Sequence, residues 1–169
     1  MSGRIMADLL LALDSSTRVI GWALLDLSDL DRPLAYGVET FGGDLHERLH
    51  QAGRWLDRML GELTGNVTIL AIEGQVVAKN AATTAKLAQH AGALKYVAMA
   101  HGLDVIEIAQ GQRKTVLGLP LTLDSKSSKI QVTALVNARF GLALTADEHD
   151  IADALAIGLA AVRLIGWER

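Results

Sequence analysis

LLLALDSSTRVIGWALLD, residues 9–26, is the segment from which the fold can be worked out. Leu9 to Leu13 is a continuous apolar run of strand length, DSSTR is a turn, and Val19 begins a second run that reaches Leu27. Leu34 to Phe41 (LAYGVETF) reads as a third strand, so the chain opens with a three-stranded antiparallel meander. Leu45, Leu49, Ala52, Leu56, Met59 and Leu63 then recur at helical spacing, predicting an amphipathic helix over roughly residues 44–63. A buried strand at Val67 to Ile72 follows, and then an Ala-rich helix of about residues 80–101 with Leu87, Ala91, Leu94 and Ala98 on one face. A strand at Val105 to Ala109 completes the β content. QGQRKTVLGL, residues 110–119, is helical. Asp124 or Ser125 caps a helix running to Arg139 and stopping at Gly141, and Thr145 to Asp150 opens a last apolar helix through Ile165. Strand–helix–strand units cross right-handed, so the fourth and fifth strands lie parallel to the first. The expectation is an α/β fold of ribonuclease H-like type: a mixed five-stranded sheet, three antiparallel strands then two parallel, flanked by helices on both faces.

The 169 residues fit one domain, 1–169, and a chain that is 50% hydrophobic with two prolines has the means to bury a core. The absence of cysteine removes disulfide scaffolds, zinc–thiolate and iron–sulfur sites and a cysteine nucleophile, so a bound metal must sit on oxygen or imidazole. The apolar stretches are short or interrupted by charge, and MSGRIMADLL is a weak candidate for a signal peptide, which predicts a cytoplasmic protein with no membrane partner. The net charge of −3 conceals an asymmetry. Residues 79–139 carry eight basic and three acidic side chains, net +5, leaving −8 elsewhere, and it is the local field that steers a polyanion.

Asp14 directly follows one buried strand and Glu73 another. Ligands of open α/β sheets bind at those carboxyl ends. If the two strands are parallel neighbours, the carboxylates emerge roughly 5 Å apart, and two like charges that close need a cation. Asp150 and Asp153 share a face of the last helix, whose apolar remainder, ALAIGLAAV, must pack on the sheet. Taken singly, Asp14 also reads as a turn former, Glu73 as a solvated strand end, and Asp150 and Asp153 as first-turn acids favoured by the helix dipole. Together, four hard carboxylate ligands without a thiolate select Mg²⁺ or Mn²⁺, and such a pocket suits two ions clamping a scissile phosphate.

These residues resemble the RuvC family of Holliday junction resolvases. LLALDSSTRVIGWALLD is similar to that family's first catalytic motif, ILAIEGQVVAKNAATTAKLAQHAG to its second with the helix behind it, and HDIADALAIGLAAV to its last. QGQRKTVLGL and SKSSKIQV are similar to the basic stretch between them, so the resemblance spans roughly residues 9–163. It implies a homodimer that nicks a four-way DNA junction symmetrically in recombination and repair, with Asp14, Glu73, Asp150 and Asp153 holding two Mg²⁺ per site and Mn²⁺ substituting. It also implies Lys129 as a catalytic residue that meets the phosphate backbone or the transition-state charge, and Lys79, Arg113, Lys114, Lys126 and Lys129 as DNA-binding residues. The helix from Asn80 to His101 becomes the dimer contact, and a branch-migration helicase a possible further partner in a bacterium or its phage. Two positions depart from the pattern: Ser15-Ser16 stand where the family usually has Pro-Gly, and Val76 where many members carry an aromatic that stacks on a base. His149 and Glu148, beside Asp150, are candidate supplementary ligands.

Other readings compete. A broader branched-DNA nuclease, or a RuvX-like RNA-processing nuclease of the same fold, would use a similar set of acids. His46-Glu47-Arg48-Leu49-His50 matches HExxH, the helical motif of zinc hydrolases, and Gly53 continues its longer form. Leu56, however, occupies the place of a third histidine ligand.

Overall fold

A computed structural model of the chain describes residues 8–63, 66–74, 80–122 and 124–166. Five strands, β1 (Leu9–Ser15), β2 (Val19–Asp26), β3 (Ala35–Thr40), β4 (Val67–Glu73) and β5 (Asp104–Ile108), form one sheet in the order β3-β2-β1-β4-β5. β1 pairs antiparallel with β2 and parallel with β4, β2 pairs antiparallel with β3, and β4 parallel with β5. This is the mixed sheet expected from the sequence. β5 begins and ends one residue earlier than expected.

Continuous apolar runs are explained by cover on both faces. From β1, Leu9, Leu11 and Leu13 point into one core, shared with α1 (Leu45–Glu62) and α2 (Ala81–Ala100). Leu10 and Ala12 point the other way, into a second core with α4 (Ser125–Phe140) and α5 (His149–Leu164). A one-residue slip would exchange the two sets, so burial pins the register. α3 (Gln110–Val116) follows β5 directly and packs on α5.

The capping signals hold. Asp44 and Glu47 form a reciprocal capping box at the start of α1, Asp124 accepts from the Ser127 amide at α4, and Gly141 closes α4 in the left-handed region at φ 65°. The last helix differs from expectation at its start. Residues Ala146–Glu148 form a separate 3₁₀ turn, closed by a second capping box between Thr145 and Glu148, and α5 begins at His149. Asn137 holds the preceding loop, donating to the Leu144 carbonyl and accepting from its amide, both at 2.9 Å. That clamp sets where α5 enters.

α5 is buried along almost its whole length, from Ile151 to Val162 with Asp153 half-buried. Small residues permit this. A Cβ on Gly158 would lie 2.7 Å from Leu25 Cδ1 and 3.3 Å from the Ala12 Cβ, so the helix lies directly on β1 and β2. Among the described residues no helix is long and apolar enough to cross a membrane.

Candidate active site

Side chains alternate along a strand, and that period places the acids. Asp14 follows Leu10 and Ala12 on the face turned toward α5, and Glu73 follows Ala71 on the same face of the adjacent strand. Asp14 pairs across β2 with Gly21. A Cβ on Gly21 would lie 2.0 Å from the Asp150 carbonyl oxygen, so glycine is what lets the first turn of α5 descend onto the strand ends. Asp150 sits in that first turn, and Asp153 lies one turn further on. Four acids from three elements converge in this way.

The electrostatics record the convergence. Burial, then the charges of Asp153 and Glu73, push the Asp14 carboxyl well above its ordinary value, against the opposing pull of Arg113. Burial likewise raises Glu73 and Asp153, and Arg113 opposes both shifts. Arg113 is the buried counter-ion. Its guanidinium, with a side chain 5% exposed, lies 3.4 Å from Glu73 Oε1 and 3.2 Å from Asp153 Oδ1, and it also reaches the Asp153 carbonyl. Arg113 therefore does not lie on a solvated helix face: β5 ends at Ile108, and α3 turns Arg113 inward over the carboxylates.

The other basic residues separate by exposure. Lys126 and Lys129 are exposed on the first turns of α4, and Lys129 is close enough to draw the Asp153 carboxyl down. Lys114 is buried. Lys79 and Val76 lie outside the described residues. His149 Nε2 sits 3.5 Å from Asp150 Oδ1, while Glu148 is engaged elsewhere, accepting from the Thr145 amide and hydroxyl at 2.8 and 3.0 Å.

The HExxH reading finds no support in the geometry. Glu47 Oε2 accepts from the Asp44 amide at 2.7 Å, and His46 and His50 are exposed on α1. The capping box accounts for the motif's glutamate.

Among the described residues no three acidic or histidine side chains enclose a metal position by themselves, and Arg113 bridges Glu73 and Asp153. The donor set nevertheless fits a hard divalent cation. Glu73 Oε1 is buried without a hydrogen-bond partner, and four carboxylates face one guanidinium, an excess of negative charge that a low-dielectric site holds poorly.

A family model described as crossover junction endodeoxyribonuclease RuvC matches residues 10–161. The chain belongs to the RuvC family. RuvC of Chromohalobacter salexigens is 32% identical over 161 residues, spanning 94% of this chain and 83% of the relative. RuvC of Chlamydia felis is 28% identical and spans 91% and 92%. The structure of Thermus thermophilus RuvC in complex with a Holliday junction substrate superposes with a TM-score of 0.75 at 19% identity, over 95% of this chain and 97% of that one. That likeness establishes the shared ribonuclease H-like fold. RuvC-family membership makes this chain a nuclease.

Two features of the site escaped sequence reasoning. Gly21 was one apolar-strand residue among many, although a glycine inside a strand is a known sign of close backbone approach. Arg113 looked like part of a basic helix face; only the position of α3 reveals its burial.

Proposed function

We propose that this RuvC-family chain resolves four-way DNA junctions by cutting one phosphodiester per subunit at the cluster formed by Asp14, Glu73, Asp150 and Asp153. The observation that carries the reading is this convergence of four acids at adjacent strand ends, bordered by exposed Lys126 and Lys129. The four acids would hold two Mg²⁺, with Mn²⁺ able to substitute, and the bound ions would supply an activated water and charge neutralisation at the leaving 3′ oxygen, giving 5′-phosphate ends.

The chain's own residues do the rest. Asp14 and Glu73 are held on neighbouring paired strands and directly follow buried residues, Leu13 and Ile72, so their spacing is rigid. Arg113 orients Glu73 and Asp153 through its two ion pairs. Lys129, exposed at the edge of the cluster, meets the charge of the phosphate being cut, and Lys126 together with Lys79 follows the backbone. α2 exposes Tyr96 at 75% and Met99 at 66%, and this face forms the homodimer contact that presents two sites to one junction. The setting is the bacterial cytoplasm, with a branch-migration helicase as a further partner.

The test is cleavage of labelled four-way junction, flap and linear duplex in Mg²⁺, Mn²⁺ or EDTA. Paired symmetric nicks confined to the junction are expected. Equal cutting of flaps would make the chain a broader branched-DNA nuclease, and inertness on every DNA would refute the assignment.

A further inference from the structure

α1 and α2 cover the sheet on the face away from the acids, and His90 of α2 is sealed there. It is 1% exposed, and both ring nitrogens, Nδ1 and Nε2, are buried without a hydrogen-bond partner. Its neighbours are Phe41, with ring centroids 6.5 Å apart, and the buried guanidinium of Arg48 on α1. Arg48 donates to the Gly43 carbonyl, and its Nε also lacks a partner. The carboxylates of the surrounding elements are engaged elsewhere. Asp44 and Glu47 serve their capping box, Glu39 of β3 lies in a surface groove with Arg54 and Arg58, and Glu107 of β5 pairs with Lys95 at 2.7 Å. Lys86, one turn before His90 on α2, is exposed and adds positive charge. A neutral imidazole can be buried in such a place; an imidazolium would lose its water, gain no acceptor and face a guanidinium. Burial first, and then Arg48, hold the His90 ring below the ordinary histidine value.

We propose that His90 is a pH-sensitive latch: a neutral ring keeps α2 seated against α1 and the sheet, and an acid solution frees α2 together with the dimer contact it carries. The dimer clause rests on reading the exposed face of Tyr96 and Met99 as the homodimer contact. The lever is the helix itself. His90 lies midway along the 20 residues of α2, and Ala91, Leu94 and Ala98 are buried with it, so an ionised ring reaches water only if this part of the helix lifts. The unfolded chain takes up its proton near about pH 6.5, whereas the folded ring resists until lower pH. The stability that His90 contributes is therefore present above about pH 6.5 and is lost as pH falls below it. Asp14, Glu73 and Asp153 act in the opposite direction, favouring the folded state as pH falls. The difference between wild type and a His90 variant isolates the latch from them.

The test compares wild type, His90→Leu and Arg48→Met by denaturant unfolding in EDTA at several pH values from about 7.5 down to about 5. Leucine keeps close to the volume of the ring and cannot titrate. Relative to His90→Leu, the unfolding constant of the wild type is expected to rise by up to about tenfold for each pH unit below about 6.5, the linkage of one proton. Arg48→Met removes the facing charge and should reduce that rise. Sedimentation at micromolar concentration should show the wild type losing its dimer by about pH 5 and His90→Leu retaining it. Parallel stability curves for wild type and His90→Leu would overturn the latch, and equal loss of the dimer in both would overturn its coupling to assembly. A wild type that is monomeric at every pH would refute the dimer reading and the coupling with it, while divergent unfolding curves would still support the latch. Should His90→Leu fail to fold, the imidazole resonances of the wild type decide: the His90 ring should stay neutral in the folded protein below about pH 6. A ring that takes up its proton at the ordinary value inside an intact fold would overturn the proposal.

Discussion

Replacing Asp14 by asparagine should abolish cutting and yet make the metal-free protein more stable. Asp14 and Glu73 stand at the ends of paired parallel strands, where neighbouring backbones are ~5 Å apart. Two unit charges at that distance repel by about 3 kcal/mol at an effective dielectric of about 20. Asp153 and Asp150 add to the repulsion, and Arg113 offsets part of it. Asparagine keeps the shape and removes the charge, so a net gain of about 1–3 kcal/mol remains once the lost attraction to Arg113 is deducted. For a chain of 169 residues this corresponds to a rise in Tm of about 3–10 °C. The assay is calorimetry in EDTA, repeated with Mg²⁺ at about a hundred times its dissociation constant. There the wild type gains about 2.7 kcal/mol from binding and the variant loses most of that gain, so the order of the two melting temperatures should close or reverse. An unchanged or lower Tm for Asp14→Asn in EDTA would refute the claim that these acids crowd one another.

The remaining predictions concern pH, packing and charge. Asp14, Glu73 and Asp153 all have folded-state pKa values above their ordinary ones, so the native state retains protons that the unfolded chain has released. The stability this contributes is fully present below the ordinary carboxylate range and is lost as pH climbs through the raised values; denaturant melts in EDTA from about pH 4 to pH 8 should show the decline, flattened in Asp14→Asn. Gly21→Ala puts a methyl where the Asp150 carbonyl now lies, so α5 must lift from the sheet; thermal melts should show a loss of about 1–3 kcal/mol, and cleavage should fall even at temperatures where the variant is folded. Lys129→Ala should slow cleavage and reduce the salt dependence of junction binding by about one unit in the log–log slope, as measured by titration at several salt concentrations. An identical slope would remove Lys129 from contact with phosphate.

Periodicity and capping made the fold legible from the chain alone. Leu9 to Leu13 is apolar at every position because helices cover both faces of β1, and that run by itself marks a buried strand. Asp14 and Glu73 stood out because a charge directly after a buried run must emerge at a strand end. Asp150 and Asp153 stood out by helical spacing. In each case the information is local, carried by side-chain period along a few residues. Position 14 and its neighbours therefore identified a candidate site without tertiary detail.

Burial and pairing between distant segments were not legible. Arg113 and Lys114 belong to the same seven-residue helix and look like equivalent bases, but the fold sends Arg113 into ion pairs with Glu73 and Asp153. Glu47 stood in an HExxH pattern and Glu148 beside Asp150, and backbone amides three residues away claimed both as caps. Gly21 lies 129 positions from Asp150 in the chain, and no local pattern encodes that contact. Short-range order thus determined the strands, the helices and the four acids, because those depend on period and capping. Tertiary structure alone decided which charges are neutralised and which are left for a ligand, because desolvation and ion pairing depend on what the rest of the chain packs against each side chain.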